Sequence, residues 1–371
     1  MQELPPDHLK EEIPNMTPTR RGRAAIGIVI TLLLVGGGAA AVLALGGKAG
    51  VGPLANKPSG SNPSASTSPP PPPVCPLSGV ERPKGVPQRP VLAIKVENLP
   101  AARPQTGLSW ADLVYEEPVE GGITRFIAVY QCQDASRVEP VRSGRLTDID
   151  ILLQFGTPLL GYSGGAGKVV KAIRDAGIVD ISYETSAASS AYHRDTSREA
   201  PHNLYTSTKA LYEVGKDLTA QVPPEPIFVY GKKAPKGAEK VTEVHVPFSS
   251  YSDVFWKWSS SKKVWLRSHG TVPHVSSDGT QFSATNVIVQ VVKTDLTDQT
   301  DANGIKSPRA ITVGKGKAYV FRNGRVIKGT WVRDSVDQVT KFLDADGNEI
   351  KLAPGQTWIE LLPKDKKVSF S

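Results

Sequence analysis

Residues 191–208 read AYHRDTSREAPHNLYTST and gather two of the chain's six histidines with arginines, acids, an asparagine and two tyrosines, with hardly an aliphatic side chain among them. His193 or His202 could serve as a general base near neutral pH, where imidazole ordinarily titrates. His193 and Asp195 are two apart and share a face if the segment is extended. His202 comes too far along for one helical turn, and no third ligand lies at a fitting interval, so the spacing does not describe a metal centre. Nor does it mark a nucleophile. The structural reading of the same residues is a loop tied to its domain by arginine–acid pairs, with Pro201 and Asn203 shaping a turn.

Two other features could act on an anion. In EPVRSGR, Arg142, Ser143 and Arg145 lie just beyond a strand-like run, and guanidinium forks grip phosphate or carboxylate at two points; exposed arginines are otherwise simply solvated. In GGAGKVV, Gly164 and Gly165 open a helix whose free N–H groups and dipole favour an anion, the alternative being an ordinary glycine-rich turn. It is not a nucleotide loop, because the spacing differs and Val169 stands where a Ser or Thr would hold magnesium. The signatures G-x-S-x-G, H-E-x-x-H and C-x-x-C are absent, so no catalytic residue, metal or cofactor is implied. Glu97, Glu116, Glu117 and Glu120 form a second polar cluster, for which ion pairing with Arg103 or Arg125 is the expected role.

Pattern gives the scaffold on which these residues sit. RPVLAIKVEN, ITRFIAVYQC, ASRVEPVRS and IVDISY read as strands, TDIDILLQFG and GKVVKAIRDAG as helices, the second stopping at Gly177, and TSTKALYEVGKDL as a helix with a Ser/Thr cap. This predicts an α/β or α+β domain over 80–221. A Pro- and Lys-rich linker, 222–240, leads to a smaller, mostly antiparallel β domain, 241–371. There Asp278-Gly279, Asn323-Gly324 and Asp346-Gly347 mark hairpins. In VFWKW, Phe255 faces away from Trp256 and Trp258. Six tryptophans in the chain could supply aromatic platforms for sugars, but core packing is the expected use for those of the β domain.

Ahead of these lies a span without charge, Ala24 to Leu45, long enough as a helix to cross a hydrocarbon core of roughly 30 Å. Arg20, Arg21 and Arg23 precede it and only Lys48 comes closely after. That asymmetry places a basic tail, 1–23, in the cytoplasm and the rest outside a membrane crossed once, at 24–45. The rival reading is a cleaved signal peptide, whose apolar core is ordinarily shorter. No cysteine lies at the end of the span for lipid attachment. Residues 46–79 turn to Pro and Ser and read as a disordered spacer. Cys75 and Cys132, an even count in an oxidising compartment, are expected to form a disulfide rather than remain free thiols. The net charge of +8 partly reflects the arginines before the span and the KDKK near the end. Outside the membrane it suits acidic wall polymers, lipid phosphates or acidic proteins, and not nucleic acid.

RPVLAIKVENLPAARPQTGLSWADLVYEEPVEGGITRFIAVYQ, EPVRSGR, YHRDTSREAPHNLYTS, HVSSDGTQFSATNVIVQ and KGTWVRDSVDQVTKFLDADGNEIKLAPGQTWIELLP together resemble the YerB family of bacterial extracytoplasmic proteins, whose two parts are called DUF3048 and its C-terminal domain. The likeness covers roughly residues 80–365. It implies an envelope location and two domains, but no catalytic residue. Its best-known members are lipoproteins, whereas this chain has a plain span. The resemblance places Arg142, Ser143, Arg145, His193, Arg194, Asp195, Arg198, His202, Asn203 and Tyr205 in shared motifs. With Gly164 and Gly165 they make the expected ligand-binding set, some of the histidines and arginines of 193–202 standing beside Arg142 and Arg145. A fainter likeness, in the succession TRFIAVY, EPVRSGR, YSGGAGKVVKAI, is to LytR-CpsA-Psr proteins, which transfer wall polymers from lipid pyrophosphate carriers. The expectation is therefore a non-catalytic module binding a wall component or a wall-synthesis protein, with an enzyme of phosphorylated lipid-linked glycans as the alternative.

Overall fold

The computed structural model describes residues 72–235, 238–301 and 303–371. The basic tail, the apolar span and most of the spacer lie outside the described residues. Among those described, no helix is long and apolar enough to cross a membrane.

In chain order the first part gives β1 (Leu92–Glu97), β2 (Leu113–Pro118), β3 (Thr124–Tyr130), α1 (Leu146–Leu152), β4 (Leu159–Gly161), α2 (Gly167–Asp175), β5 (Val179–Asp180), β6 (His193–Arg194), β7 (Leu204–Tyr205) and α3 (Thr208–Gly215). The second part is built of strands: β8 (Glu239–Lys240), β9 (Glu243–Pro247), β10 (Asp253–Ser259), β11 (Val264–His269), β12 (Val272–Pro273), β13 (Ser283–Ala284) and β14 (Asn286–Thr300). Then come β15 (Lys306–Ile311), β16 (Gly314–Arg322), β17 (Arg325–Arg333), β18 (Lys341–Leu343), β19 (Thr357–Pro363) and β20 (Ser369–Phe370).

Local chemistry accounts for several boundaries. α2 stops at Gly177, whose φ of 78° is left-handed and free for glycine. α3 starts at Ser207, whose hydroxyl accepts the Ala210 N–H at 3.1 Å. β16 turns into β17 through Asn323 and Gly324, both left-handed at φ 52° and 65°, as an Asn-Gly hairpin requires. ASRVEPVRS, expected as a strand, makes only isolated bridges, Val138 with Thr206, Glu139 with Thr106 and Val141 with Val96. Pro140, between Glu139 and Val141, has no N–H to give a ladder. β2, with two acids in LVYEEP, is not among the strands expected from pattern, yet it lies deep inside the large sheet.

That sheet has twelve strands, running β18-β17-β16-β14-β19-β2-β3-β1-β4-β5, with β15 on β14 and β8 on β17. The second, antiparallel sheet runs β12-β11-β10-β9-β20, with β13 on β11. The molecule is thus mixed α/β with few helices. The expected order of an α/β stretch and then a β-rich stretch holds along the chain, and the antiparallel sheet belongs to the second stretch. In space, however, β19 pairs in parallel with β2, Thr357 opposite Leu113 through Glu360 opposite Glu116, so strands from both sides of 222–240 share one sheet. The passage itself lays Ile227 and Phe228 into the core, and Gly231 donates its N–H to the Leu352 carbonyl at 2.8 Å.

Each face of the large sheet has its own core. On one, Ile94, Val114, Phe126 and Trp358 meet Trp256 and Trp265 of the second sheet and Leu211 of α3. On the other, Ala93, Ile127, Leu160 and Ile359 meet Leu152 of α1 and Val169 and Ile173 of α2. The tryptophans of VFWKW and its neighbours are therefore mainly core, Trp256, Trp265 and Trp358 being fully buried.

The expected disulfide is formed. Cys75 and Cys132 bond across a separation of 57 residues with Cα atoms 6.0 Å apart. By chain entropy, closing such a loop stabilises by about 4 kcal/mol, and it holds the segment carrying buried Leu77 to the end of β3.

Candidate functional site

Side chains alternate along β1, so Ala93, Lys95 and Glu97 share the face that carries the two helices. Apolar at its start, this face turns polar at the carboxyl end of the strand. Glu117 on β2 and Arg125 on β3 join it there, paired in register. The VRSGR segment crosses this end of the sheet, held by backbone: Arg142 N–H donates to the Lys95 carbonyl at 2.9 Å, Ser163 N–H to the Arg142 carbonyl at 3.0 Å, and Gly144 N–H to the Gly164 carbonyl at 3.0 Å. Gly164 adopts φ 114°, a conformation that favours glycine, and a Cβ there would meet the Glu184 carboxylate.

A cleft of about 500 Å³ opens here. Arg125, Arg142 and Arg145 line it with Glu97 and Glu120; Gly165 and Ala166, at the start of α2, form another side. No side chain caps that start. Opposite stands the tip of the β14–β15 ribbon, with Thr300, Asp301 and Asn303.

The arginines differ in how far they are engaged. Arg145 donates from Nη2 to Glu120 Oε2 at 2.7 Å and from Nη1 to the Gly144 carbonyl at 2.8 Å. Arg125, 6% exposed, donates from Nη1 to the Ser143 carbonyl at 3.0 Å, and its buried Nε has no partner among the described residues. Burial and the neighbouring Arg145 charge push this guanidinium down to about 10. Arg142 uses only Nε, to Glu97 Oε1 at 3.0 Å, so both its Nη groups are without a partner among the described residues. Burial alone would raise the Glu120 carboxyl, but hydrogen bonding to Arg145 and its charge outweigh burial and hold it below the ordinary range.

Of the residue set expected from sequence, Arg142, Ser143, Arg145 and Gly165 line the cleft, and Gly164 shapes its edge. His202 reaches it indirectly, its Nδ1 2.8 Å from Glu97 Oε2. The structure does not bring the others there. Arg194 donates to Asn203 Oδ1 at 2.8 Å. Asp195 pairs with Arg137, whose guanidinium lies 3.8 Å over the Tyr205 ring. Arg198 donates to the carbonyls of Ala102 and Pro104 at 2.6 and 2.9 Å, and His193 is exposed on β6 beside Tyr205. Most of AYHRDTSREAPHNLYTST is a hairpin whose polar groups are taken up partly by one another and partly by Arg137 and the carbonyls of Ala102 and Pro104, and so do not reach the cleft.

The acidic cluster also departs from expectation, since Arg103 and Arg125 are not its partners. Glu97 takes Arg142 and His202, Glu120 takes Arg145, and Glu116 and Glu117, consecutive on a strand, point to opposite faces of the sheet. Glu117 binds Lys95, which also donates to Asp148 at 2.6 Å, all three fully buried. Burial, reinforced by Asp148 and only partly offset by Lys95, pushes the Glu117 carboxyl up to about 7. Glu116 on the other face binds Arg267 of β11 beside Glu360 of β19. Arg267 Nη1 also donates to His274 Nδ1 at 2.5 Å and His269 Nε2 at 2.9 Å. Arginine only donates, so both rings accept there and are neutral, and His274 Nε2–H donates to Gln105 Oε1 at 2.7 Å. Burial, then the Arg267 charge, hold both histidines well below their usual range. Asp301 and Asn303 carry no signal in the sequence, whereas Lys95 and Glu97 do: two charges on the buried face of a strand otherwise apolar.

Residues 77–221 match the model of the DUF3048 N-terminal domain, described as a protein of unknown function, and residues 244–359 match that of its C-terminal domain. The chain belongs to the DUF3048 family. A relative in Bacillus subtilis (strain 168), named "Putative lipoprotein YerB", is 29% identical over 308 residues, covering 80% of this chain and 88% of that one. The crystal structure of the YerB protein from Bacillus subtilis superposes with a TM-score of 0.68 at 24% identity, over 80% of this chain and 99% of that one. This likeness carries the fold.

Proposed function

We propose that this DUF3048 protein is a membrane-anchored, extracytoplasmic envelope protein whose cleft binds the phosphate or carboxylate of a wall component or wall-synthesis protein, without catalysis. The observation that carries the reading is Arg142, both of whose Nη groups lack a partner among the described residues, beside the uncapped start of α2, with the buried and under-partnered Arg125 behind it. Charge-assisted hydrogen bonds of this kind are worth about 1.5–3 kcal/mol each. The relative's name as a lipoprotein supports the location. Titration of the detergent-solubilised chain with inorganic phosphate, pyrophosphate and a polyprenyl phosphate should give saturable binding. Arg142→Ala should weaken it about tenfold or more and move the thermal transition by no more than a few degrees. No binding at millimolar concentrations, or binding indifferent to Arg142, sinks the reading.

The hydrogen bond of His202 to Glu97, itself on Arg142, favours a second reading, in which this pair moves a proton for an enzyme of phosphorylated lipid-linked glycans. It differs in one readout of the same experiment: a released product, lost in His202→Gln. Intact ligand after prolonged incubation leaves binding alone.

A further inference from the structure

Of the six tryptophans, Trp110 stands mostly in solvent, 56% exposed, and it stands at the edge of a hollow. It is not on a loose loop. Its 3-10 turn, Leu108–Trp110, is pinned by buried Leu108 and Ala111 on either side. Gln356 Nε2 donates to the carbonyls of Leu108 and Ala111 at 2.8 and 2.6 Å, and Tyr130 Oη donates to the Gly107 carbonyl at 3.1 Å. The backbone thus holds an aromatic side chain outward from a rigid mount.

Beneath it is a hollow of about 650 Å³, separate in its lining residues from the arginine cleft. Its floor is Tyr212, covered by the Arg89 guanidinium at 4.2 Å; its rim carries Asp134, Lys209, Glu213 and Gln221. Arg89 is already occupied, donating to Asp134 Oδ1 at 2.8 Å and to the Gln131 and Gln133 carbonyls at 2.6 and 3.0 Å. Its lining holds two cations and two carboxylates, and both carboxylates are already paired, Asp134 with Arg89 and Glu213 with Lys216, so the hollow has no concentrated positive charge to select an anion or the phosphates of a nucleic acid. Such a site suits a neutral ligand with one apolar face and many hydroxyls.

We propose that Trp110 is the platform of a saccharide-binding site. The C–H face of a pyranose lies on the indole, while vicinal hydroxyls donate to the Asp134 and Glu213 carboxylates and to Gln221 Oε1, whose Nε2 is turned to the carbonyls of Lys216 and Thr219, and accept from Lys209. Placing a sugar there buries an exposed aromatic face and leaves the rim groups hydrogen-bonded.

The test uses the full chain in detergent, titrated with chitohexaose and with cellohexaose, read by indole fluorescence and by saturation-transfer NMR. Saturable binding of at least one is expected. It should fall about tenfold or more in Trp110→Ala and largely survive in Trp110→Tyr, both variants keeping the parent's thermal transition. Absence of binding to both saccharides at millimolar concentration overturns the proposal, as does binding unchanged in Trp110→Ala. Quenching of Trp110 by brominated phospholipid in reconstituted vesicles, without saccharide binding, overturns it in favour of membrane contact.

Discussion

Glu116 and Glu360 face each other across β2 and β19, and Arg267 of the second sheet pairs with Glu116. Burial, then the Glu116 charge, push the Glu360 carboxyl well above its ordinary range. A carboxyl whose folded pKa is raised stabilises fully below its unfolded pKa of about 4.5 and loses that contribution as pH rises through the interval up to the folded value. Glu360→Gln removes this titration while keeping a neutral group against Glu116. Its stability relative to the parent should therefore improve with rising pH from about 5 upward, by at most about 1.4 kcal/mol per pH unit. Urea midpoints of the two proteins at several pH values measure it, and a gap independent of pH contradicts the assignment. His269 and His274 act with the opposite sign. Their contribution is present above about 6.5 and falls as pH falls below it, and it cancels in the comparison because both proteins carry them.

The β14–β15 ribbon is the element that closes the arginine cleft. β14 leaves β19 after Val292 and continues with β15 as partner, pairing Lys293 with Ile311 through Thr300 with Lys306. Leu296 on it is 71% exposed. A two-stranded ribbon in water is marginal, so its position rests on its brace: Arg309 of β15 grips Asp150 of α1 at 2.9 and 2.7 Å, and Ala310 N–H donates to Thr147 Oγ1 at 3.1 Å. Arg309→Ala should cost only about 1 kcal/mol in global stability, the pair being partly exposed. It should, however, speed amide hydrogen exchange across residues 297–306 by about fivefold, an open–closed equilibrium being sensitive to energies of this size. Unchanged exchange there would show that the ribbon does not depend on this ion pair.

For the molecule as a whole, the decisive contact is β19 inserted between β14 and β2. It makes the stretch 80–221 an incomplete body, because without β19 the buried strand β2 becomes an edge and the face of Val114 and Phe126 loses Trp358 and Trp256. A chain ending at Gln221 is therefore expected to expose that core and fail to give a cooperative thermal transition, whereas the chain through Ser371 gives one. A truncated protein with native-like near-ultraviolet dichroism and a sharp transition would show that the first stretch folds by itself.

Whatever depends on neighbours within a turn or a strand is legible in the residue order. The helices α1, α2 and α3, the Gly177 stop, the Ser207 cap and the Asn323-Gly324 hairpin are local conformational preferences, and all are present in the fold. So is the bond between Cys75 and Cys132, which rests on parity and compartment. The arginines of EPVRSGR and the Gly164-Gly165 turn stand out because charge and glycine beside a strand end are local signals too. Partnerships over long range come from the tertiary structure alone. It buries β2 despite two acids, since Lys95 and Arg267 reach them from opposite faces. It separates His202, which meets Glu97, from His193, which faces solvent nine residues away. And it leaves Trp110 outside while Trp256, Trp265 and Trp358 go in, for an indole's burial depends on which surfaces arrive over it, and residue type and spacing do not contain that.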